Sequence, residues 1–221
     1  MIERMPTGIP GLDEMIGGGL PVPSLTLVAG DVGSGKTTLC TQFLCKGAEK
    51  GERGVYFLTF GGPPEWAFKF ISTYDFVAGD YFDKEIKFIE LKTEGAGGAG
   101  AMMDVIQSEM EKVRPRRIAV DSLSVVEGHL KKDCRHFILK LSALVKEHMA
   151  VALVTAESMP GTPYPVEIAQ VADGVVLLQN AEVNQVRKRT IEVLKMSGTA
   201  HHLGKYAVDI SAKGLTVYPG L

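Results

Sequence analysis

Short unbroken apolar runs alternate with longer segments whose apolar residues recur every three or four positions. The first kind reads as strands buried on both faces, the second as helices packed against them. Residues 24–29 form the first run, stopped by Gly30. A helix follows over 37–50, with Leu39, Phe43, Leu44 and Ala48 at helical spacing and Gly51 as its stop. Residues 54–60 make a second strand. Pro63, Pro64 and Glu65 then open a helix, since proline suits the first turn and glutamate its positive end. After a third strand at 86–91, Met102, Val105, Ile106, Met110 and Val113 share one helical face that Pro115 ends. Strand 117–121 precedes a helix with Asp133 as N-cap and Phe137, Ile138, Leu141, Leu144, Val145 and His148 inward. Residues 151–155 and 174–179 are two more strands. Beyond them the helical spacing stops, and 190–195, 205–210 and 215–218 read as strands joined by glycine-containing turns.

Strands alternating with helices predict an α/β fold with a mainly parallel central sheet flanked by helices, here closed by a β-rich C-terminal tail. No linker or repeat interrupts residues 1–221, which are expected to form a single domain. With 45% apolar residues and a net charge of −2, the composition argues against disorder and against a large basic surface, so nucleic acid ranks last among partners. No apolar run approaches the roughly 20 residues of a membrane span. The first residues lack the features of a signal peptide. Cys40, Cys45 and Cys134 contain no CxxC pair and read as reduced core thiols of a cytoplasmic protein. The glycine-rich stretch 94–101 reads as a surface loop; no lysine follows it, so it is not a second phosphate cradle.

One motif carries chemistry. Residues 30–37 match GxxxxGK[ST] throughout, between a strand and a helix, which is the context that gives the pattern meaning. Glycines let successive backbone N–H groups turn into one concavity, and the helix N-terminus adds partial positive charge. Gly33, Ser34, Gly35, Lys36, Thr37 and Thr38 are therefore the candidate contacts for the phosphates of a nucleotide. Asp121 ends a buried strand at the carboxyl edge of the sheet, where ligands of such sheets bind. Thr37 and Asp121 are the candidate magnesium (Mg2+) residues.

These motifs, with TGIPGLD at 7–13, GGGLP at 17–21 and VLKMSGTAH at 193–201, resemble the KaiC-like ATPases, a branch of the RecA superfamily of P-loop NTPases. The resemblance covers nearly the whole chain and implies a RecA-like fold and a homo-oligomeric ring, commonly a hexamer, with ATP at the subunit boundary. It implies that Lys195, Met196, Ser197, Thr199 and His201 face a neighbour's nucleotide and that Thr73 is a further nucleotide contact. Residues 155–157 fall at the family's sensor segment.

Three departures from the family pattern matter. Gly61 and Gly62 stand where the family has two adjacent glutamates, one of which orients or deprotonates the attacking water. Losing a general base costs roughly 10²–10⁴ in rate. Ser197 stands where the family has an arginine that reaches the neighbour's γ-phosphate, a contact worth about 10³–10⁵ in related phosphoryl transfers. Ala212-Lys213-Gly214 stands where the circadian-clock protein for which the family is named has an acidic residue before its turn. The first two departures bear on hydrolysis and leave the phosphate cradle intact. The resulting expectation is a Mg·ATP-binding assembly or regulatory switch with weak or absent hydrolysis. Two alternatives stay open: an active ring ATPase in which Glu65 or Glu157 replaces the lost base, and a recombinase-like filament on DNA. No catalytic residue is assigned. The basic clusters Arg114, Arg116, Arg117 and Arg187, Lys188, Arg189 read as solvated faces. The neighbours His201 and His202 point apart in a strand and do not converge on a metal. Trp66 is left between core and interface.

Overall fold

The structure is a computed structural model that describes residues 2–59, 64–78, 80–92, 98–124, 126, 133–158, 161–183 and 185–218. Gly61, Gly62, His129 and residues 94–97 of the glycine-rich stretch lie outside the described residues, as does the Glu65 side chain.

Eleven strands and seven helices are described: β1 (Arg4–Met5), α1 (Leu12–Met15), β2 (Leu20–Pro21), β3 (Ser24–Gly30), α2 (Lys36–Ala48), β4 (Gly54–Leu58), α3 (Pro64–Ile71), α4 (Tyr81–Lys84), β5 (Ile86–Glu90), α5 (Gly98–Val113), β6 (Arg117–Asp121), α6 (Cys134–Glu147), β7 (Val151–Glu157), α7 (Val166–Val171), β8 (Gly174–Val183), β9 (Val186–Met196), β10 (Lys205–Ser211) and β11 (Gly214–Tyr218). Nine strands form one sheet in the order β11-β10-β9-β8-β3-β7-β6-β4-β5. From β8 to β5 every pairing is parallel. The tail strands β9, β10 and β11 extend the sheet antiparallel. This is the α/β architecture expected from the pattern, with its β-rich tail.

The core has two sides because the sheet has two faces. Strand side chains alternate between them. Leu25, Leu27, Val55, Phe57, Ile118 and Val120 pack with the buried faces of α5 and α6. Val28, Tyr56, Leu58 and Ala119 pack with α1, α2 and the tail residues Val208, Leu215 and Val217. Helix α2 lies inside this second layer. Eleven of its 13 residues are buried, so it is covered all round rather than amphipathic.

Four local readings change. Helix α5 begins at Gly98, so the last part of the glycine-rich stretch is its first turn and not loop. On that helix Val105 is exposed, against the spacing argument, while Met102, Ile106 and Met110 are buried as expected. Asp133 precedes α6 but its side chain makes no capping hydrogen bond. Arg117 is no part of a solvated cluster. It is wholly buried, donating to Glu52 at 2.6 Å and to the carbonyls of Pro6 and Phe43 at 2.9 Å. Trp66 is exposed on α3.

A candidate nucleotide site at the edge of the parallel sheet

Strand β3 is the sheet's centre, paired in parallel to β7 on one side and β8 on the other. Its chain turns through residues 31–35 into α2, and this turn is the candidate phosphate loop. The turn needs its glycine at position 35. Gly35 has φ +108°, a backbone that L side chains rarely adopt, and a Cβ there would also press on Ile210 Cδ1 at 2.5 Å. Asp31 ties the loop to the sheet: its carboxylate accepts from the Ser158 hydroxyl and from the Asn180 N–H. Burial works against that charge. The two hydrogen bonds and the Lys36 and Arg187 charges outweigh burial and hold the Asp31 carboxyl below its usual range.

Inside the loop, Lys36 is buried and its ammonium folds back to donate to the carbonyls of Gly30 at 2.9 Å and Asp31 at 2.8 Å. Burial pushes its pKa down, against the opposing pull of Glu157, Asp121 and Asp31. Ser34 Oγ is buried and has no hydrogen-bond partner among the described residues. An unpaired buried hydroxyl and a desolvated ammonium at one helix N-terminus are what a polyanion would satisfy, so the residues fit the phosphates of a nucleotide.

The second half of the site is Asp121, 1% exposed at the end of β6. Three hydroxyls donate to it. Thr37, at the start of α2, donates to Oδ2 at 2.7 Å, and Tyr56, on β4, to the same oxygen at 3.0 Å. Thr155, on β7, donates to Oδ1 at 2.5 Å. Register explains the last two. Leu58 is the β4 partner of Asp121 and Tyr56 that of Ala119, so Tyr56 reaches diagonally past a small residue. Val120 pairs with Val154, which sets Thr155 beside Asp121. Thr37 and Asp121 are the residues that would hold a magnesium ion, the hydroxyl directly and the carboxylate by way of a water.

These groups open onto a cavity of about 330 Å3 lined by Val32, Gly33, Gly35, Lys36, Thr37, Thr38, Tyr74, Asp121, Ser122, Glu157, Arg189 and Ile210. Among the sequence candidates it unites Gly33, Gly35, Lys36, Thr37, Thr38 and Asp121, with Ser34 buried behind it. Thr73 does not line it; its hydroxyl donates to the Phe70 carbonyl, and the next residue, Tyr74, meets Thr38 Oγ1 at 3.0 Å instead. The sequence places Arg189 on a solvated face. It is exposed, but its guanidinium donates to the Gly33 carbonyl at 3.2 Å. Its place follows from the pairing of Asn180 with Arg189 across β8 and β9, which no local spacing reveals.

The tail candidates do not enter this cavity. Lys195 donates to the carbonyls of Ala172 at 2.6 Å and Ala169 at 3.4 Å. Met196 is buried in the core. Ser197 is exposed, with its N–H on the Asp173 carbonyl. Thr199 Oγ1 accepts from Arg4 at 2.6 Å, and His201 Nδ1 lies 3.1 Å from the His202 carbonyl. They gather at the end of β9 and the turn after it, where a second molecule has access to the exposed ones.

A phosphate loop after the central strand of a largely parallel sheet, an aspartate ending a neighbouring strand and an antiparallel tail define a RecA-like P-loop NTPase. The family model for the KaiC ATPase matches residues 5–221, and the chain belongs to that family. It is 34% identical over 235 residues to the circadian clock protein KaiC3 of Synechocystis, covering 99% of this chain and 46% of that protein. A UPF0273 protein of Thermotoga maritima is 27% identical and is matched over 97% of its length. The crystal structure of a KaiC-like protein from Pyrococcus horikoshii superposes with a TM-score of 0.86 at 30% identity, covering 99% of this chain and 100% of that one. The chain thus spans about half the length of the clock protein, but the whole of the shorter archaeal one. Among the described residues no helix is long and apolar enough to cross a membrane.

Proposed function

We propose that this chain binds Mg·ATP through Gly33–Thr38 and Asp121 and works as a nucleotide-dependent assembly or regulatory switch with slow hydrolysis. The observation that carries the reading is the cradle itself: a buried lysine and an unpaired buried serine at the start of α2, beside the Thr37–Asp121 pair. Hydrolysis is slow on this reading because positions 61, 62 and 197 hold Gly, Gly and Ser. A base and a γ-phosphate cation are missing, whereas binding needs neither. The residues 1–221 act as one domain, and the exposed part of the 195–201 segment meets a neighbouring copy in a homo-oligomer. Three buried cysteines suit a reducing, cytoplasmic setting.

One observation favours the alternative of an active ATPase. Glu157 lines the same cavity as Lys36, Thr37 and Asp121, where a carboxylate can orient water. The deciding experiment measures ATP affinity and turnover for the natural chain and for a Gly61→Glu, Gly62→Glu, Ser197→Arg variant. Tight binding with turnover near background, rising in the variant at little cost in affinity, supports the switch. Turnover of order 1 s⁻¹ or faster in the natural chain, within the ordinary enzymatic range, overturns it and makes Glu157→Gln the next variant.

A further inference from the structure

The least expected contact in the site is the phenol on Asp121. Tyr56 is a large residue facing α2 from β4, on the strand beside the one that carries the aspartate, and both residues are buried to 1% exposure. Its ring is held from behind. It stacks on Phe88 at 5.3 Å between centroids, and Phe88 stacks in turn on Phe82 at 4.9 Å. The hydroxyl therefore has a fixed direction. It donates to Asp121 Oδ2 at 3.0 Å.

The geometry of the three donors separates them into two kinds. Thr155 on Oδ1 and Tyr56 on Oδ2 come from the strands on either side of Asp121 and belong to the rigid sheet. Thr37 on Oδ2 comes from the first turn of α2 and is itself a candidate metal residue. When the Thr37 hydroxyl turns to a metal, Asp121 keeps one sheet donor on each oxygen and is left with an open acceptor direction on Oδ2, on the side of α2.

We propose that Tyr56 is a positioning residue for the magnesium site: its hydroxyl, with that of Thr155, fixes the Asp121 carboxylate so that the acceptor position vacated by Thr37 serves a metal-bound water. The inference rests on the Mg·ATP reading above. It assigns to a residue outside the phosphate loop the task of making nucleotide binding depend on magnesium. Partners of this kind typically govern metal affinity by 10–100-fold, and an aspartate acting through a water falls at the low end of that range.

The test is Tyr56→Phe, which keeps the ring and its stack and deletes one oxygen. A fluorescent ATP analogue is titrated against both proteins, once with excess Mg2+ and once with EDTA, and Mn2+ binding to the protein with the analogue is followed by electron paramagnetic resonance. The expected result is a metal-free affinity within about twofold of the natural chain and a Mg2+ enhancement and Mn2+ affinity lower by about tenfold. Thr155→Val should produce the same selective loss. An unchanged Mg2+ enhancement in Tyr56→Phe overturns the inference, and so does an equal loss with and without metal, which marks a merely structural role. If the natural chain binds no analogue in either buffer, the Mg·ATP reading itself fails, and this inference with it. A natural chain that binds normally beside an indifferent variant sinks the positioning role alone.

Discussion

The ammonium of Lys195 donates at 2.6 Å to the carbonyl of Ala172, the residue that follows the last turn of α7. A cation at a helix C-terminus meets carbonyls that have no partner within the helix, and the contact is favourable. It also means that in one copy Lys195 serves its own chain. The substitution Lys195→Met is expected to lower the unfolding free energy of the nucleotide-free protein by about 1 kcal/mol in urea titrations, the scale of one partly exposed charged hydrogen bond. If Lys195 leaves Ala172 for a neighbour's nucleotide, the variant also shows less Mg·ATP-dependent growth in mass by light scattering. An unaltered assembly curve removes Lys195 from the proposed contact.

Lys36 leads to an opposite sign. Its ammonium is buried and its pKa is lowered by that burial, so the nucleotide-free fold carries a desolvation cost at this position. Lys36→Met is therefore expected to leave the nucleotide-free melting temperature unchanged or higher. Stabilisation by ligand should vanish. At 100 times the dissociation constant the natural chain gains about 2.7 kcal/mol from ATP, and the variant gains none. Calorimetric melts with and without Mg·ATP distinguish the two effects. A variant still stabilised by ATP would break the link between this cavity and the nucleotide.

Much of this site could be read before the fold was known, and the reason is local. A phosphate loop is contiguous in sequence, so its glycines, lysine and threonine announce themselves, and Asp121 stands at the end of an obvious strand. The parallel strands were legible because both their faces are buried, which makes the apolar runs unbroken. What escaped was set by register between strands distant in sequence. Tyr56 reads as one more apolar strand residue until β4 lies beside β6. Arg189 reads as surface until β9 folds back on β8. On α5 the expected face holds at Met102, Ile106 and Met110, and only Val105, at its margin, turns out to solvent. Helix α7, at six residues, is too short to show a period.

Arg117 is the clearest of these cases and yields its own prediction. Among three nearby arginines, Arg117 alone is wholly buried, with its charge balanced by Glu52 and its face over the Phe43 ring at 4.7 Å. Gly47 makes room for it: a Cβ there would lie 2.4 Å from Arg117 Cδ. Truncating one member of a buried pair strands the other and leaves a hole, so Arg117→Ala should cost about 3–5 kcal/mol. Gly47→Ala should also destabilise, by pressing on the same side chain. Arg116→Ala, at an exposed pair with Glu3, should cost under about 1 kcal/mol. Urea denaturation of the three variants checks the ranking, and near-equal losses for Arg116 and Arg117 would contradict the burial argument.

The buried thiols and phenol give the protein an alkaline limit. Burial pushes Cys45 up to about 12 from 9.0 and drives Cys40 and Tyr56 well upward. Above pH 9 the unfolded chain sheds these protons while the native chain keeps them, so the unfolded state binds fewer protons and stability falls as pH rises. Each group that titrates only in the unfolded chain removes roughly 1.4 kcal/mol per pH unit. Lys36 works the other way, because its lowered pKa makes the native chain the first to lose that proton, up to the ordinary value of 10.5. Three groups against one leave a net decline that begins near pH 9 and steepens once Tyr56 joins above 10. Urea unfolding at pH 8, 9 and 10 should show it. At pH 8, where the thiols of the unfolded chain react readily, a chromogenic disulfide reagent should find none of the three cysteines in the native protein and all three in urea, since each is at most 1% exposed. A native Cys40 or Cys45 that reacts at the unfolded rate would show that the layer around α2 opens far more readily than its packing implies.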